Sequence, residues 1–148
     1  MKEGVRRQYL LVGIAGGIGT LCRFGVAEWF GPHVSWPPLA TLVINFTGSF
    51  LIGSLQALSE PESRFYLTPS ARLVLMTGFC GGYTTFSTYS LLSFYSLQHA
   101  DWGNALLNVL ASNGLGGIAV FAGYFASNGT ARLLETRVRR LQQRRKRS

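Results

Sequence analysis

The residues best equipped for chemistry in this chain are crowded into one stretch. Gly78-Phe79-Cys80-Gly81-Gly82-Tyr83-Thr84-Thr85-Phe86-Ser87-Thr88-Tyr89-Ser90 combines three glycines with five hydroxyl-bearing Ser and Thr side chains. Glycine weakens a helix interior. Irregular backbone at membrane depth persists only where protein or a cavity surrounds it, and its released carbonyls can then coordinate a cation. The functional reading is an interrupted helix with an ion site; a tightly packed continuous helix is the plain alternative. Asn45, within Leu42-Val43-Ile44-Asn45-Phe46-Thr47-Gly48, carries an amide that must be satisfied once buried. It either bridges helices or meets a polar permeant, with Thr41 one turn earlier on the same face. Asn104, Asn108 and Ser112 recur every four residues and make one polar stripe on a helix. Arg23 must face protein or a water-filled cavity, as a structural anchor or at a pore entrance.

Other chemistries find little support. His33 and His99 sit near expected helix ends, with no Ser-His-Asp set, metal-ligand spacing or nucleotide-binding fingerprint around them, so an enzyme is not expected. Cys22 and Cys80 each fall inside an apolar run, where small packing residues are the simplest account. Gly13 and Gly17 form a G-x-x-x-G pair suited to close helix packing.

The elements that must position these residues follow from where charge is absent. Only 14% of the 148 residues are charged, against roughly 25% in soluble proteins, while 47% are hydrophobic and 18 are glycine. Residues 8–22, 29–59, 73–100 and 102–131 carry no Asp, Glu, Lys or Arg. A charge at the bilayer centre costs about 2.5–3.5 kcal/mol on insertion scales, and a crossing helix needs about 20 apolar residues. Four transmembrane helices are therefore expected near residues 9–28, 39–58, 70–96 and 104–126, the third broken in mid-membrane. Gly31-Pro32, Pro37-Pro38, Pro61, Pro69 and the polar turn of residues 99–103 punctuate them. Lys2, Arg6 and Arg7 precede the first apolar run as they would in a signal peptide, but no small-residue cleavage site follows.

The net charge of +8 would point to nucleic acid if it covered a folded surface. Instead, eight of the 14 basic residues follow Ala131, which divides the chain into a nearly neutral transmembrane domain, 1–131, and a basic tail, 132–148. Leu133, Leu134, Val138 and Leu141 would give that tail an apolar face for anionic lipid, so membrane lipid and not nucleic acid is the expected partner. Four crossings place 13 of the 14 basic residues on one face, with only Arg23 toward the other. By the positive-inside rule both termini are expected in the cytoplasm, in the cell membrane.

The residues of the first helix up to Arg23, the run Val43-Ile44-Asn45-Phe46-Thr47-Gly48-Ser49-Phe50 and above all residues 78–90 resemble the Fluc fluoride channels, also called CrcB proteins. The resemblance covers essentially the whole chain before the tail. It implies a four-helix subunit in an antiparallel dimer, with a structural Na⁺ at its centre and two fluoride pores lined by both subunits. It implies too that cytoplasmic fluoride leaks out passively, reducing its toxicity. Carried over residue by residue, the Na⁺ ligands are the backbone carbonyls of Gly81 and Thr84, a hard-oxygen set suited to that ion. Phe86 and Tyr89 fall where the family lines its pore with phenylalanines, whose ring edges carry partial positive charge. Asn45 matches the pore asparagine, Ser87 and Thr88 add hydroxyls, and Asn108 and Ser112 match the polar track of the fourth helix.

Two departures stand out. Tyr89 replaces the second phenylalanine, where its hydroxyl could donate to fluoride or cap the pore. The strong charge bias contrasts with family members that insert both ways as homodimers, so a homologous partner of opposite orientation is expected. Rival classes are a small proton-coupled multidrug exporter, which would need Glu28 as its carboxylate although it lies at a span's end, and a non-transporting membrane assembly protein.

Overall fold

Prolines set the helix starts. In the computed structural model, which describes residues 3–145 except 61, 62, 64 and 65, and no side chains for 32 or 130–145, helix α2 (Pro38–Ala57) opens with proline in its first turn. Helix α1 (Glu3–Phe30) precedes it, joined through a 3₁₀ turn at Gly31–His33. The short α3 (Pro69–Arg72) begins at another proline, capped by the Thr68 hydroxyl accepting from the Ala71 N–H at 3.2 Å. It runs into a π-helical stretch, Leu73–Cys80, and one α turn, α4 (Gly81–Tyr83). Then come α5 (Phe86–Gln98) and the long α6 (Trp102–Arg145).

The described residues are all helical apart from their connections. Three helices are long and apolar enough to cross a membrane: Glu3–Phe30, Pro38–Ala57 and the Trp102–Gly129 part of α6. The first extends beyond its expected bounds to take in Arg6 and Arg7, whose side chains can reach an interface while their stems stay apolar. Residues 70–96 lie in separate helical pieces on either side of Thr84 and Thr85, both in extended backbone. Helix α6 passes residue 131 without a break. Lys2 and Arg64, and the tail side chains of both the charge bias and the expected apolar face (Leu133, Leu134, Val138 and Leu141), lie outside what the structure describes.

Contacts fix the helix directions. Gln8 Nε2 donates to Ser70 Oγ at 3.3 Å and Thr20 Oγ1 to the Gly82 carbonyl at 3.3 Å, so α1 and residues 69–83 run the same way. Helices α2 and α6 also share a direction: Gly53 meets Val120, and Tyr124 Oη farther along donates to Glu60 Oε1. Arg72 Nη2 reaches Gln56 Oε1 at 2.7 Å while Thr85 meets Asn45, so α2 opposes the 69–85 stretch. Helix α5 reverses into α6 through a Schellman turn, with Asp101 N–H on the Ser96 carbonyl, Ala100 N–H on that of Leu97, and Ala100 at φ 56°. Asp101 then caps α6, accepting from Asn104 Nδ2 at 2.6 Å and the Asn104 N–H at 3.2 Å, bonds that hold its carboxyl below the usual carboxylate range.

Packing is carried by glycine, though not by the expected pair. Gly13 and Gly17 have nothing within 4 Å of an added Cβ. The close approach uses the neighbouring face instead: a Cβ on Gly19 would lie 2.2 Å from the Phe79 carbonyl, one on Gly78 2.8 Å from that of Val12, and one on Gly82 2.2 Å from that of Gly16. Gly53 and Gly123 do the same where α2 crosses α6, each 2.0 Å from a carbonyl of the other helix. Such contacts leave no flexible atom to yield. Gly82→Ala is therefore expected to destabilise the subunit by about 1–3 kcal/mol and Gly17→Ala to stabilise it by up to about 1 kcal/mol, read as thermal midpoints of the purified protein in detergent. Of the three crossing helices α2 is the most enclosed, with 44% of its apolar stretch buried against 11% for α1 and 17% for α6. It is the wall against which the interruption is built.

Candidate functional site

The interruption forms because side chains capture the N–H groups that a continuous helix would use. Thr84 still closes a turn, its N–H donating to the Cys80 carbonyl at 2.9 Å and its Oγ1 to the same oxygen at 2.9 Å. The next N–H, of Thr85, turns away and donates to Asn45 Oδ1 at 2.9 Å, while Asn45 Nδ2 donates back to the Thr85 carbonyl at 3.0 Å. One amide thus satisfies both backbone groups of a residue in extended conformation, φ −143° and ψ 114°. Buried backbone donors and acceptors must be paired, and at this helix break the side-chain bridge does the pairing that the helix no longer can. Thr85 is buried and also caps α5, its Oγ1 accepting from the Thr88 N–H at 3.2 Å and donating to Thr88 Oγ1 at 3.0 Å, with Ser87 Oγ 3.2 Å away.

Two carbonyls lose their helical partners in this way. A continuous helix would give the Thr85 N–H to Gly81 and the Thr88 N–H to Thr84; these donors go to Asn45 Oδ1 and Thr85 Oγ1 instead. The Gly82 carbonyl between them accepts from Thr20 Oγ1. Gly48 allows α2 to approach, since a Cβ there would lie 2.3 Å from Thr84 Cγ2, and Thr47 Oγ1 sits 2.9 Å from Tyr83 Oη.

Beyond the break, α5 presents its first turn outward. Phe86 is 78% exposed, with its ring centroid 5.4 Å from that of Tyr89 at an interplanar angle of 53°. Ser87 and Thr88 are also exposed. Asn113 Nδ2 donates to Tyr89 Oη at 3.1 Å, so the phenol oxygen acts as acceptor and its proton points elsewhere. Asn108 is buried between α5 and α6, donating to Ser93 Oγ at 2.9 Å and to the Tyr89 carbonyl at 3.3 Å, while Ser112 Oγ donates to Asn108 Oδ1 at 3.3 Å. The stripe of Asn108 and Ser112 therefore faces a neighbouring helix, and Asn104 serves the Asp101 cap. Arg23 is half-buried on α1, one turn beyond Gly19 and Thr20 where that helix meets α4.

Asn45, Gly81, Thr84, Ser87 and Thr88 thus converge on the break, with Phe86 and Tyr89 on the turn that follows and Asn108 and Ser112 behind it. Sequence reasoning misses Thr85, Tyr83, Ser93 and Asn113. Thr85 has a readable signal, a threonine a few residues after a glycine pair and just before a run with no glycine or proline, as an N-cap stands. Asn113 stands one position off the four-residue stripe and has none.

Described residues that are helical apart from their connections, with apolar helices long enough to cross a bilayer and a backbone interruption that polar side chains satisfy, make this an integral membrane protein. Residues 10–124 match the family described as CrcB-like protein, Camphor Resistance (CrcB), and the chain belongs to that family. Similar proteins include one named fluoride-specific ion channel FluC from Opitutus terrae, 39% identical over 125 residues that cover 82% of this chain and 92% of the relative. Proteins of the same name occur in Hydrogenobaculum sp., 40% identical with 79% and 94% covered, and in Rhizobium meliloti, 42% identical with 77% and 90% covered.

Proposed function

We propose that this chain is a subunit of a fluoride-specific channel that lets cytoplasmic fluoride leave the cell passively and so lowers its toxicity. The chain crosses the cell membrane four times, with the helical pieces on either side of residues 84–85 forming the third, broken crossing and both termini in the cytoplasm. The observation that carries the reading is the Asn45-bridged break, which supports exposed Phe86 at the head of α5. Relatives covered over most of their length are named for fluoride conduction.

Fluoride holds water tightly, so a pathway for it needs donors that replace hydration without trapping the ion. The edges of Phe86 and Tyr89 offer partial positive charge, the Ser87 and Thr88 hydroxyls offer donors, and Asn45 Nδ2 has a second N–H beyond the one given to Thr85. Asn108 and Ser112 act from behind: bonded to the Tyr89 carbonyl and Ser93, Asn108 holds the α5 turn that carries the aromatics. Arg23 belongs to the α1 wall toward one mouth, as anchor or entrance charge.

The donor set also fits a structural Na⁺. The Gly81 and Thr84 carbonyls, whose helical partners are taken by Asn45 and Thr85, are hard oxygen ligands, and a bound Na⁺ would supply fixed positive charge and hold the breaks of two subunits together. The subunits pair antiparallel, and the charge bias of this chain makes the mate a homologous polypeptide of opposite orientation.

Fluoride-electrode efflux from liposomes, with the protein prepared in Na⁺ or in a Na⁺-free buffer, tests these points separately. Fluoride-selective efflux is expected when the chain is co-reconstituted with an oppositely oriented homologue, and weaker efflux after Na⁺-free preparation. Absence of fluoride efflux under every condition would overturn the channel reading. Fast, selective efflux from this chain alone would overturn only the heterodimer.

A further inference from the structure

Away from the break, a groove of about 590 Å³ lies between α1 and α3 at the end of the subunit where both helices begin. We propose that this groove holds one anionic glycerophospholipid, its phosphate at the Arg7 end and an acyl chain lying along Leu11, Val74 and Leu75.

The lining is graded along the helix axis. On α1, Arg7 and Gln8 stand one turn before Leu11; on the facing helical segment, Ser70 stands one turn before Val74 and Leu75. Since the two elements run in the same direction, their polar ends coincide and so do their apolar ends. On α1, from the level of Arg7 to that of Leu11 is about one helical turn, about 6 Å, as 1.5 Å per residue requires. A charged head followed by hydrocarbon within that distance is the profile of a lipid at the edge of a bilayer, and basic grooves between membrane helices bind acidic headgroups.

The polar end is built to donate. The Arg7 guanidinium carries five N–H donors and no acceptor. Gln8 Nε2 donates to Ser70 Oγ at 3.3 Å, which ties the two walls together and leaves the Ser70 hydroxyl proton directed away from Gln8. Glu3, one turn before Arg7, is exposed and does not line the groove. Among the described residues the same end of the subunit also carries Arg6 and Arg72, so that with Arg7 three basic side chains stand there against the acidic Glu3 and Glu60.

The proposal requires that α1 lie in a membrane and is independent of fluoride permeation, so loss of one reading leaves the other standing. Native mass spectrometry of the detergent-purified full chain, titrated with phosphatidylglycerol or phosphatidylcholine, tests it, with thermal midpoint as a second readout. One phosphatidylglycerol is expected to bind per subunit and raise the midpoint, with phosphatidylcholine binding more weakly. Arg7→Gln is expected to weaken phosphatidylglycerol about fivefold, the equivalent of one surface-level basic residue. Arg6→Gln, on the neighbouring face, is expected to weaken it less, and Ser70→Trp, which fills the mouth from an exposed position, to abolish the adduct. Equal losses from Arg6→Gln and Arg7→Gln would overturn the proposal in favour of diffuse attraction. Protection by inorganic phosphate as strong as by the lipid would overturn the acyl-chain half. A change of oligomeric state in Ser70→Trp without any lipid effect would assign the groove to a second copy of the chain.

Discussion

Asn45→Leu is expected to destabilise the subunit by about 2–4 kcal/mol and to abolish fluoride efflux together with it. The substitution removes both bonds that the amide makes to Thr85 and leaves a buried N–H and carbonyl unmatched, each worth about 1–3 kcal/mol. Hydrogen bonds between membrane helices average only about 0.6 kcal/mol when the broken state finds other partners. The Thr85 groups have fewer options, because the neighbouring hydroxyl of Thr85 already serves Thr88 and that of Thr84 serves Cys80. Asn45→Asp keeps the acceptor for the Thr85 N–H but turns the donor into a charge against the Thr85 carbonyl, which at membrane depth costs about 2.5–3.5 kcal/mol. A midpoint no higher than that of Asn45→Leu is expected, measured by thermal unfolding in detergent alongside liposome efflux. A leucine variant with an unchanged midpoint would show that the bridge is dispensable.

Phe86→Ile separates conduction from stability. The ring is 78% exposed and caps no helix, so its loss is expected to leave the thermal midpoint within about 0.5 kcal/mol of the parent, the usual range for surface positions. Isoleucine keeps the apolar bulk and discards the ring edge. Fluoride efflux is expected to fall at least about tenfold, equivalent to about 1.4 kcal/mol in the barrier. The partial positive charge of the edge is the feature proposed to meet the ion. Efflux at the parental rate in Phe86→Ile would remove Phe86 from the pathway. Comparison with Asn45→Leu shows whether a variant fails because the break collapses or because the path loses a contact.

The parts of the fold that can be read in advance are those governed by solvent. Long uncharged runs, the prolines at 38 and 69 and the polar turn after Gln98 all reappear as helices and their limits, because a bilayer and a missing N–H act on each segment locally. The glycines show the limit of such reading. Gly13 and Gly17 have the familiar spacing, yet Gly16, Gly19, Gly78 and Gly82 make the contact, since spacing does not say which face of α1 meets the third segment. Asn108 reads in sequence as part of a polar track and lies buried against Ser93 and the Tyr89 carbonyl, where it supports rather than lines the α5 turn.

By itself, the sequence determined that this chain belongs in a membrane, close to where its second, third and last helices begin, which end is basic, and which short stretch of glycine, serine and threonine would interrupt a helix. Those properties follow from transfer free energies and backbone preferences that each residue brings with it. Only the tertiary structure decided how the stretch is used. Residue 45 and residue 85 are far apart in the chain, and nothing in either sequence neighbourhood says that one amide will take both backbone groups of the other. That pairing exists because α2 packs at Gly48 close enough to Thr84 for the amide to reach, and it is the capture of those N–H groups that turns a glycine-rich helix into a break with free carbonyls.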